Sequence, residues 1–176
     1  MNSICKEMAE VGIQSCGGED DEGFKDGRVM TIEDFENYTL DKDVSAVVVG
    51  LDIKFTYSKL CIATLYIQTG GAKFIACNDD AYDMVGGKRS PGAGFMISSL
   101  KTILSQHEEQ DGVSSHRQPI IIAKPNPYVI ELIQKERNVK DKSRMIMIGD
   151  RLDTDILLAH NAGIDGCLVF TGVIQS

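Results

Sequence analysis

The feature that most constrains this chain is an alternation of short apolar runs with helical periods, which begins at residue 44. The runs are rich in β-branched residues, as is typical of strands buried on both faces. They are Val44–Val49, Lys73–Cys77, Ile120–Ala123, Met145–Ile148 and Cys167–Phe170. Helical spacing of apolar residues occupies Ser58–Ile67, Gly92–Ser105, a segment from Tyr128 onward, and Thr154–Ala162. This alternation predicts an α/β fold with a mostly parallel sheet and right-handed crossovers.

The residues before position 44 follow a different pattern. Apolar side chains recur at helical spacing in Asn2–Val11, which predicts a short helix. The polar segments Gly17–Asp43 and Gln106–Gln118 predict loops. Within the first of these, Thr31–Tyr38 has a weak amphipathic turn. Thr31 can cap this turn, and Asp34 lies three residues later.

Charge and hydropathy exclude two classes of partner. The net charge of −8 arises within residues 1–45, because residues 46–176 hold equal numbers of acids and bases. No basic stripe is present, so we expect no nucleic-acid partner. The longest apolar runs are far shorter than the roughly 20 residues that cross a bilayer, so we also expect no membrane association.

Cysteine usage points to a reducing compartment. The five cysteines are an odd number and contain no Cys-x-x-Cys pair. Free thiols and a cytoplasmic location are therefore predicted. A zinc site is disfavoured, because the three histidines show no ligand spacing with these cysteines.

Charged side chains follow two of the predicted strands. Lys124 follows Ile120–Ala123, and Asp150 follows Met145–Ile148 after one glycine. Ligands of parallel sheets bind beyond the carboxyl ends of the strands, and a lysine beside carboxylates suits a phosphate next to Mg²⁺. Taken singly, the lysine is more often a solvated strand end and the aspartate more often a helix cap. Their matching positions, about one βαβ unit apart, favour the functional interpretation.

Several motifs resemble those of haloacid-dehalogenase-type phosphatases, and more narrowly the branch of 4-nitrophenylphosphatase, phosphoglycolate phosphatase and pyridoxal phosphatase. The run Met-Ile-Met-Ile-Gly-Asp-Arg-Leu-Asp-Thr-Asp-Ile-Leu at 145–157 resembles the fourth motif of that family, and Ile-Ile-Ala-Lys-Pro at 121–125 resembles its third. Other matching stretches, in the same order as in the family, are Ala46–Asp52, Phe55–Leu60, Phe74–Asn78, Pro91–Gly94 and Thr171–Val173.

The resemblance implies an architecture and an activity. The family has a Rossmann-like core and an inserted α/β cap, so residues 1–117 would be mostly cap and 118–176 the C-terminal part of the core. The implied activity is Mg²⁺-dependent hydrolysis of a small phosphorylated metabolite, through an aspartyl-phosphate formed on an aspartate nucleophile. A homodimer through the cap is also implied.

Roles of single residues follow from the motif match. Lys124 would be catalytic, stabilising the nucleophile and the phosphoryl group, and Asp155 would be catalytic by supporting the lysine or the metal shell. Asp150 would be a Mg²⁺ ligand. Four residues of the cap's specificity loop would bind substrate, namely Asn78, Asp80, Tyr82 and Asp83.

One departure from the family pattern is large. The first motif, an apolar strand followed by Asp-x-Asp-Gly, is absent from this sequence. The nearest imitation is Val47–Asp52, where Gly50 stands in place of the nucleophile. The second motif, a Ser or Thr after an early strand, is also absent. We therefore expect that the chain begins after both motifs and is inactive alone. We also expect that the core part is only marginally stable, with an exposed apolar edge, or that it associates with another chain.

Two alternatives remain at this point. The chain could be a non-catalytic remnant that dimerises through the cap or binds phosphate or metal. A response-regulator-like receiver also carries acids and a lysine on strand ends, but we rank it lower because the Lys-Pro motif precedes the Gly-Asp motif.

Overall fold

The computed structural model of the chain describes residues 2–17, 30–105 and 117–172. The chain divides into two units, Met1–Asp83 with Pro91–Ile120, and Met84–Ser90 with Ile121–Ser176. The assignment of residues 1–117 to a cap and 118–176 to a core stays a prediction. Parts of the two segments predicted as loops lie outside the described residues, namely residues 18–29 of Gly17–Asp43 and residues 106–116 of Gln106–Gln118. No helix in the described part of the chain is long and apolar enough to cross a membrane.

The first unit is built on a parallel pair of strands joined by a helix. Its helices are α1 (Asn2–Glu10), α2 (Ile32–Glu36), α3 (Tyr57–Gln68) and α4 (Gly94–Ser105), and its strands include β1 (Ala46–Val49) and β2 (Lys73–Ala76). β1 and β2 pair in parallel, with Val47 opposite Phe74. The predicted helices and strands of this unit are confirmed to within two residues at each end.

Local side chains explain where two of these helices begin. The hydroxyl of Thr31 accepts a hydrogen bond from the backbone N–H of Asp34, whose carboxylate accepts from Thr31 in return, so the predicted capping box of α2 is confirmed. The hydroxyl of Thr56 caps α3 by accepting a hydrogen bond from the backbone N–H of Lys59. α3 is apolar around most of its circumference, as expected of a helix covered by both a strand and α4.

A hairpin that the sequence analysis missed begins at Tyr82, within the segment Asn78–Asp83. Its strands are β3 (Tyr82–Val85) and β4 (Lys88–Pro91). They are joined by Gly86 and Gly87, whose φ angles are 57° and 76°. A two-residue turn with positive φ at both positions matches the twist of a hairpin, and glycine adopts it without strain. The Gly-Gly pair was the available signal.

The second unit contains a two-stranded parallel sheet covered by helices on one face. After β5 (Ile120–Ile121) come α5 (Tyr128–Arg137), a 3₁₀ turn (Lys142–Arg144), β6 (Ile146–Gly149), a π turn (Leu152–Ile156), α6 (Leu157–Ala162) and β7 (Asp165–Leu168). β6 and β7 pair in parallel. The apolar cluster of this unit contains Ile130, Leu158 and Ala162, with Met145, Met147 and Ile164 packed against it.

The last strand begins two residues earlier than predicted, at Asp165 rather than Cys167. α6 ends at Ala162, and Gly163 directly after it has a φ of 68°, so the chain turns into the strand at once. Gly166 lies against Ala159 and Ile156, and a Cβ there would approach Ala159 to 3.2 Å. The predicted strand was displaced because Asp165 and Gly166 have low β propensity, whereas packing against the helices selects them.

The expectation that the strands before Lys124 and Asp150 share one sheet is wrong. The sheets have the orders β1-β2-β5, β3-β4 and β6-β7. β5 is also two residues shorter than the predicted Ile120–Ala123, because Asn126 closes a turn: its side-chain amide donates to the carbonyl of Ile121 and its N–H to that of Ala123. Lys124 therefore lies in a turn rather than at the end of a strand.

The two units differ in how much apolar surface they bury. Among the described residues, twelve of the sixteen buried apolar residues belong to the first unit. The four of the second unit are Ile130, Leu158, Ala159 and Ala162. The second unit therefore has the smaller core, whereas the expected marginal stability of residues 118–176 stays a prediction.

Two adjacent leucines of α6 test this small core. We predict that Leu158→Ala lowers the free energy of unfolding by about 2–5 kcal/mol, because Leu158 is fully buried in the cluster with Ile130. Leu157→Ala, a matched change at an exposed position, should cost less than about 1 kcal/mol. Urea denaturation followed by circular dichroism measures both. Equal losses for the two variants would contradict this description of the core.

Candidate functional site

The turn that carries Lys124 is held by two asparagines. The peptide bond between Lys124 and Pro125 is cis. Asn126 donates to Ile121 at 2.6 Å and accepts from the N–H of Tyr128 at 2.9 Å, which joins the turn to the start of α5. Asn161, on α6, donates to the carbonyl of Pro125 at 2.9 Å. The sequence analysis missed both asparagines. Asn126 lies between two prolines, which is a turn signal, but Asn161 has no local signal.

The carboxylate of Asp155 is the centre of the site. One oxygen accepts from the ammonium group of Lys124 at 2.7 Å. The other accepts from the backbone N–H groups of Asp150 and Arg151, at 3.1 and 3.2 Å. The Asp155 side chain is 4% exposed, whereas that of Lys124 is 43% exposed. One buried carboxylate therefore fixes both the lysine and the backbone that follows β6.

The local backbone lets Asp155 reach back over the end of its own strand. The N–H groups of Asp155 and Ile156 both donate to the carbonyl of Arg151 at 3.1 Å, within a single π turn. Such turns occur often at functional sites. Gly149, the last residue of β6, lies directly beneath the Asp155 side chain, and a Cβ at that position would overlap its carboxyl group. Glycine is required there because any larger residue would displace Asp155.

Asp150 lies at the same edge, against a second glycine. A Cβ on Gly172 would overlap the carboxylate of Asp150, so the backbone after β7 packs directly on that side chain. Asp150 and Lys124 contact the same group, the first through its backbone N–H and the second through its ammonium. The structure thus brings together the three predicted residues of the phosphate site.

Three other side chains of the same motif, Arg151, Asp153 and Thr154, make no contact with Asp155 in the hydrogen bonds described above. Arg151 donates to both oxygens of Asp153, at 3.1 and 2.7 Å, and this hydrogen bonding lowers the pKa of Asp153 below its ordinary value. The Asp153 carboxylate is exposed. Thr154 is buried, and its hydroxyl has no hydrogen-bond partner in the part of the chain that the structure describes.

The described residues do not complete a metal site. They contain no group of three or more His, Cys, Asp or Glu side chains placed to hold a metal ion. Asp155 already accepts hydrogen bonds from three donors, and Asp150 is the residue that the motif match predicts as the metal ligand. Mg²⁺ needs further oxygen ligands in octahedral geometry, and one carboxylate does not supply them.

The predicted substrate-binding residues lie in the first unit. Asn78 accepts from the N–H of Asp80 at 3.3 Å, and the carbonyl of Asp80 accepts from Gly94. Tyr82 and Asp83, predicted as part of a loop, are instead the first residues of β3. Their role in substrate binding stays a prediction.

Comparison with known proteins relates this chain to phosphatases. Residues 121–176 match the family model described as HAD-hydrolase-like. The chain is 37% identical over 172 residues to phosphoglycolate phosphatase 2 of Arabidopsis thaliana, covering 97% of this chain and 52% of that protein. It is 34% identical over 168 residues to 4-nitrophenylphosphatase of Schizosaccharomyces pombe, covering 95% and 51%. The chain spans about half the length of the curated relatives it matches.

Solved structures give the same relationship. A glycerol phosphate phosphatase from Mycobacterium tuberculosis, in complex with calcium, superposes with a TM-score of 0.68 at 27% identity, covering 98% of this chain and 41% of that chain. A thermostable NPPase double mutant from Geobacillus stearothermophilus superposes with a TM-score of 0.58 at 34% identity, covering 76% and 49%. These likenesses confirm the predicted α/β fold class, a Rossmann-like core with a cap.

Replacement of the central carboxylate should destabilise the second unit. We predict that Asp155→Ala lowers the free energy of unfolding by about 2–4 kcal/mol, because two backbone N–H groups and the ammonium of Lys124 lose their acceptor. Because Lys124 is partly exposed, loss of its ion pair contributes less to this change than loss of a fully buried pair would. Asp153→Ala, which removes an exposed carboxylate two residues away, should cost less than about 1 kcal/mol. Thermal and urea denaturation measure both, and a larger loss for Asp153→Ala would contradict the assignment.

Proposed function

Because this chain belongs to the haloacid-dehalogenase-like hydrolases, we propose that Lys124, Asp150 and Asp155 form the phosphate end of a phosphomonoester hydrolase site. The observation that carries the proposal is the Asp155 carboxylate, which joins the Lys124 ammonium to the backbone of Asp150 at the carboxyl end of β6. Phosphatase relatives named for phosphoglycolate and glycerol 3-phosphate support a small phosphorylated metabolite as the substrate class.

Lys124 binds the phosphoryl group in this proposal. An ammonium group has three N–H donors, and Asp155 accepts from one of them at 2.7 Å. The side chain is 43% exposed, so the remaining donors can reach a substrate oxygen. Asp155 is a positioning residue, because it is buried and holds the lysine in one orientation.

In this proposal Asp150 would help to hold Mg²⁺ through its carboxylate. When bound, Mg²⁺ would neutralise charge on the phosphate oxygens. The described donors do not complete the coordination of the ion. The proposed roles of Lys124 and Asp155 do not depend on the ion.

No residue of this sequence is assigned the role of the attacking carboxylate in this proposal. The sequence contains no Asp-x-Asp-Gly, which supports the expectation that the chain alone does not hydrolyse phosphate esters.

Three further points stay predictions. They are a homodimer through residues 1–117, a cytoplasmic location, and substrate contacts by Asn78, Asp80, Tyr82 and Asp83. Binding of phosphate without hydrolysis of phosphate esters would support the alternative, a non-catalytic module that binds phosphate or metal.

Hydrolysis of 4-nitrophenyl phosphate with Mg²⁺ tests the missing nucleophile. We predict no turnover above background for the purified chain, because the family mechanism requires a covalent aspartate. Release of 4-nitrophenolate is followed by absorbance, with Asp150→Ala as the control for a contaminating enzyme. Turnover by the wild-type chain that is lost in Asp150→Ala would contradict the prediction.

Binding of inorganic phosphate tests the role of Lys124 separately. We predict weak binding by isothermal titration calorimetry that becomes about tenfold weaker in Lys124→Met, because the charged donor at the site is removed. Lys73→Met removes an exposed lysine from the other unit and should leave the affinity unchanged. Equal affinity for wild type and Lys124→Met would contradict the proposed phosphate site.

A further inference from the structure

Lys124 is one of the two central residues of a four-residue turn. The turn is closed by the backbone N–H of Asn126, which donates to the carbonyl of Ala123 at 2.9 Å. This bond holds the ends of the turn together, so the central residues depend on other contacts for a fixed position. The second central residue is Pro125, and its carbonyl accepts a hydrogen bond from the side-chain amide of Asn161 at 2.9 Å.

The side chain of Lys124 is held at both of its ends. Its ammonium group donates to Asp155 at 2.7 Å, and the backbone one residue later is held by Asn161 through the carbonyl of Pro125. A lysine has a flexible four-carbon stem, so an ion pair alone fixes its charged group but leaves the stem several conformations. A contact at the backbone reduces that freedom. The two contacts together determine the direction in which the other N–H groups of the ammonium point.

Asn161 reaches the turn from a helix that is fixed to the core of the second unit. α6 buries the side chains of Leu158, Ala159 and Ala162. The carbonyl of Ala162 accepts from the ammonium group of Lys142 at 2.7 Å, which also holds the end of the helix. A polar group presented from a packed helix is placed more precisely than one on a loop. The amide of Asn161 is therefore a fixed point against which the turn can be held.

One continuous stretch of chain carries both contacts of the lysine turn. Asp155 belongs to the π turn, which runs directly into α6, and Asn161 lies in the last turn of that helix. The carboxylate of Asp155 also accepts from the backbone N–H of Asp150. Because both contacts lie on one helical segment, they hold Lys124 in a constant position relative to the backbone at Asp150.

The contact made by Asn161 is better suited to positioning than to stability. Asn161 is exposed, and a neutral hydrogen bond that water can replace contributes little to the free energy of unfolding. The position of a charged donor matters far more to a bound ligand, since misplacement of a group by about 1 Å costs up to about a hundredfold in the efficiency of a site. Loss of this hydrogen bond should therefore affect phosphate binding more than folding.

We propose that Asn161 is a positioning residue of the phosphate site, which orients Lys124 toward the phosphoryl group through the carbonyl of Pro125. The inference rests on the proposed function, because Asn161 acts there only through the lysine. It adds a residue that the motif match does not include, since the matched run at 145–157 ends before Asn161. The side chain of Asn161 itself does not contact the phosphate in this proposal.

Calorimetric titration of the full chain with inorganic phosphate tests this role. We expect Asn161→Ala to bind phosphate at least about threefold more weakly than the wild type, because the ammonium group is no longer held in one orientation. His160→Ala removes an exposed side chain of the same helix and should leave the affinity unchanged. The melting temperature of both variants should fall by less than about 5 °C. Unchanged affinity in Asn161→Ala, an equal loss in His160→Ala, or a loss that accompanies a larger fall in melting temperature would overturn the proposal.

A double-mutant cycle determines whether Asn161 acts through the lysine. Once Lys124 is replaced by methionine, no ammonium group remains to be oriented. Addition of Asn161→Ala to Lys124→Met should therefore weaken phosphate binding by less than about twofold. If the effects of the two substitutions are independent, the two losses multiply in the double variant, and that result would contradict a role through Lys124.

The orientation of the lysine is also measured without phosphate, so that failure of the two proposals can be told apart. In nuclear magnetic resonance spectra, Asn161→Ala should shift the side-chain signals of Lys124, while the methyl signals of Ile130 in the apolar cluster stay in place. Absence of a shift at Lys124 would overturn the positioning role. Equal phosphate affinity of the wild type and Lys124→Met would instead contradict the proposed function, and the Lys124 signals would still decide whether Asn161 orients the lysine.

Discussion

The structure of the site depends on one buried carboxylate. Asp155 accepts three hydrogen bonds from groups that are distant in the chain or belong to the strand end before it: the ammonium of Lys124 and the backbone N–H groups of Asp150 and Arg151. A buried carboxylate without such donors would be costly, so the lysine, the strand end and the π turn stabilise one another. Gly149 belongs to the same constraint, because its missing side chain makes room for the carboxyl group.

Much of this arrangement could be predicted from the sequence, because its signals are local. A charged residue after an apolar run singled out Lys124 and Asp150. Asp150 does follow a strand, whereas Lys124 lies in a turn. The role of Asp155 came from the family motif. Lys124 and Asp155, which form the ion pair, are 31 residues apart in the sequence, so no local pattern indicates their contact.

The errors arose where packing between elements decides the outcome. β7 begins at Asp165 because Gly166 fits against the helices, although its residues have low strand propensity. β5 belongs to the β1-β2 sheet, and Lys124 reaches Asp155 from a turn closed by Asn126 rather than from a neighbouring strand. Ile146 and Ile148 are exposed within the described part of the chain, although the apolar run to which they belong predicts a strand buried on both faces.

We propose that Lys124 and the backbone at Asp150 bind phosphate together, because Asp155 holds them in one place. A phosphate titration followed by nuclear magnetic resonance tests it most directly, with the side chain of Lys124 and the amide groups of Asp150 and Arg151 as probes. The account predicts that all three probes shift with a single binding curve in the wild type and lose their common response in Asp155→Asn. Shifts confined to other parts of the chain, or independent curves for Lys124 and the two amides, would contradict it.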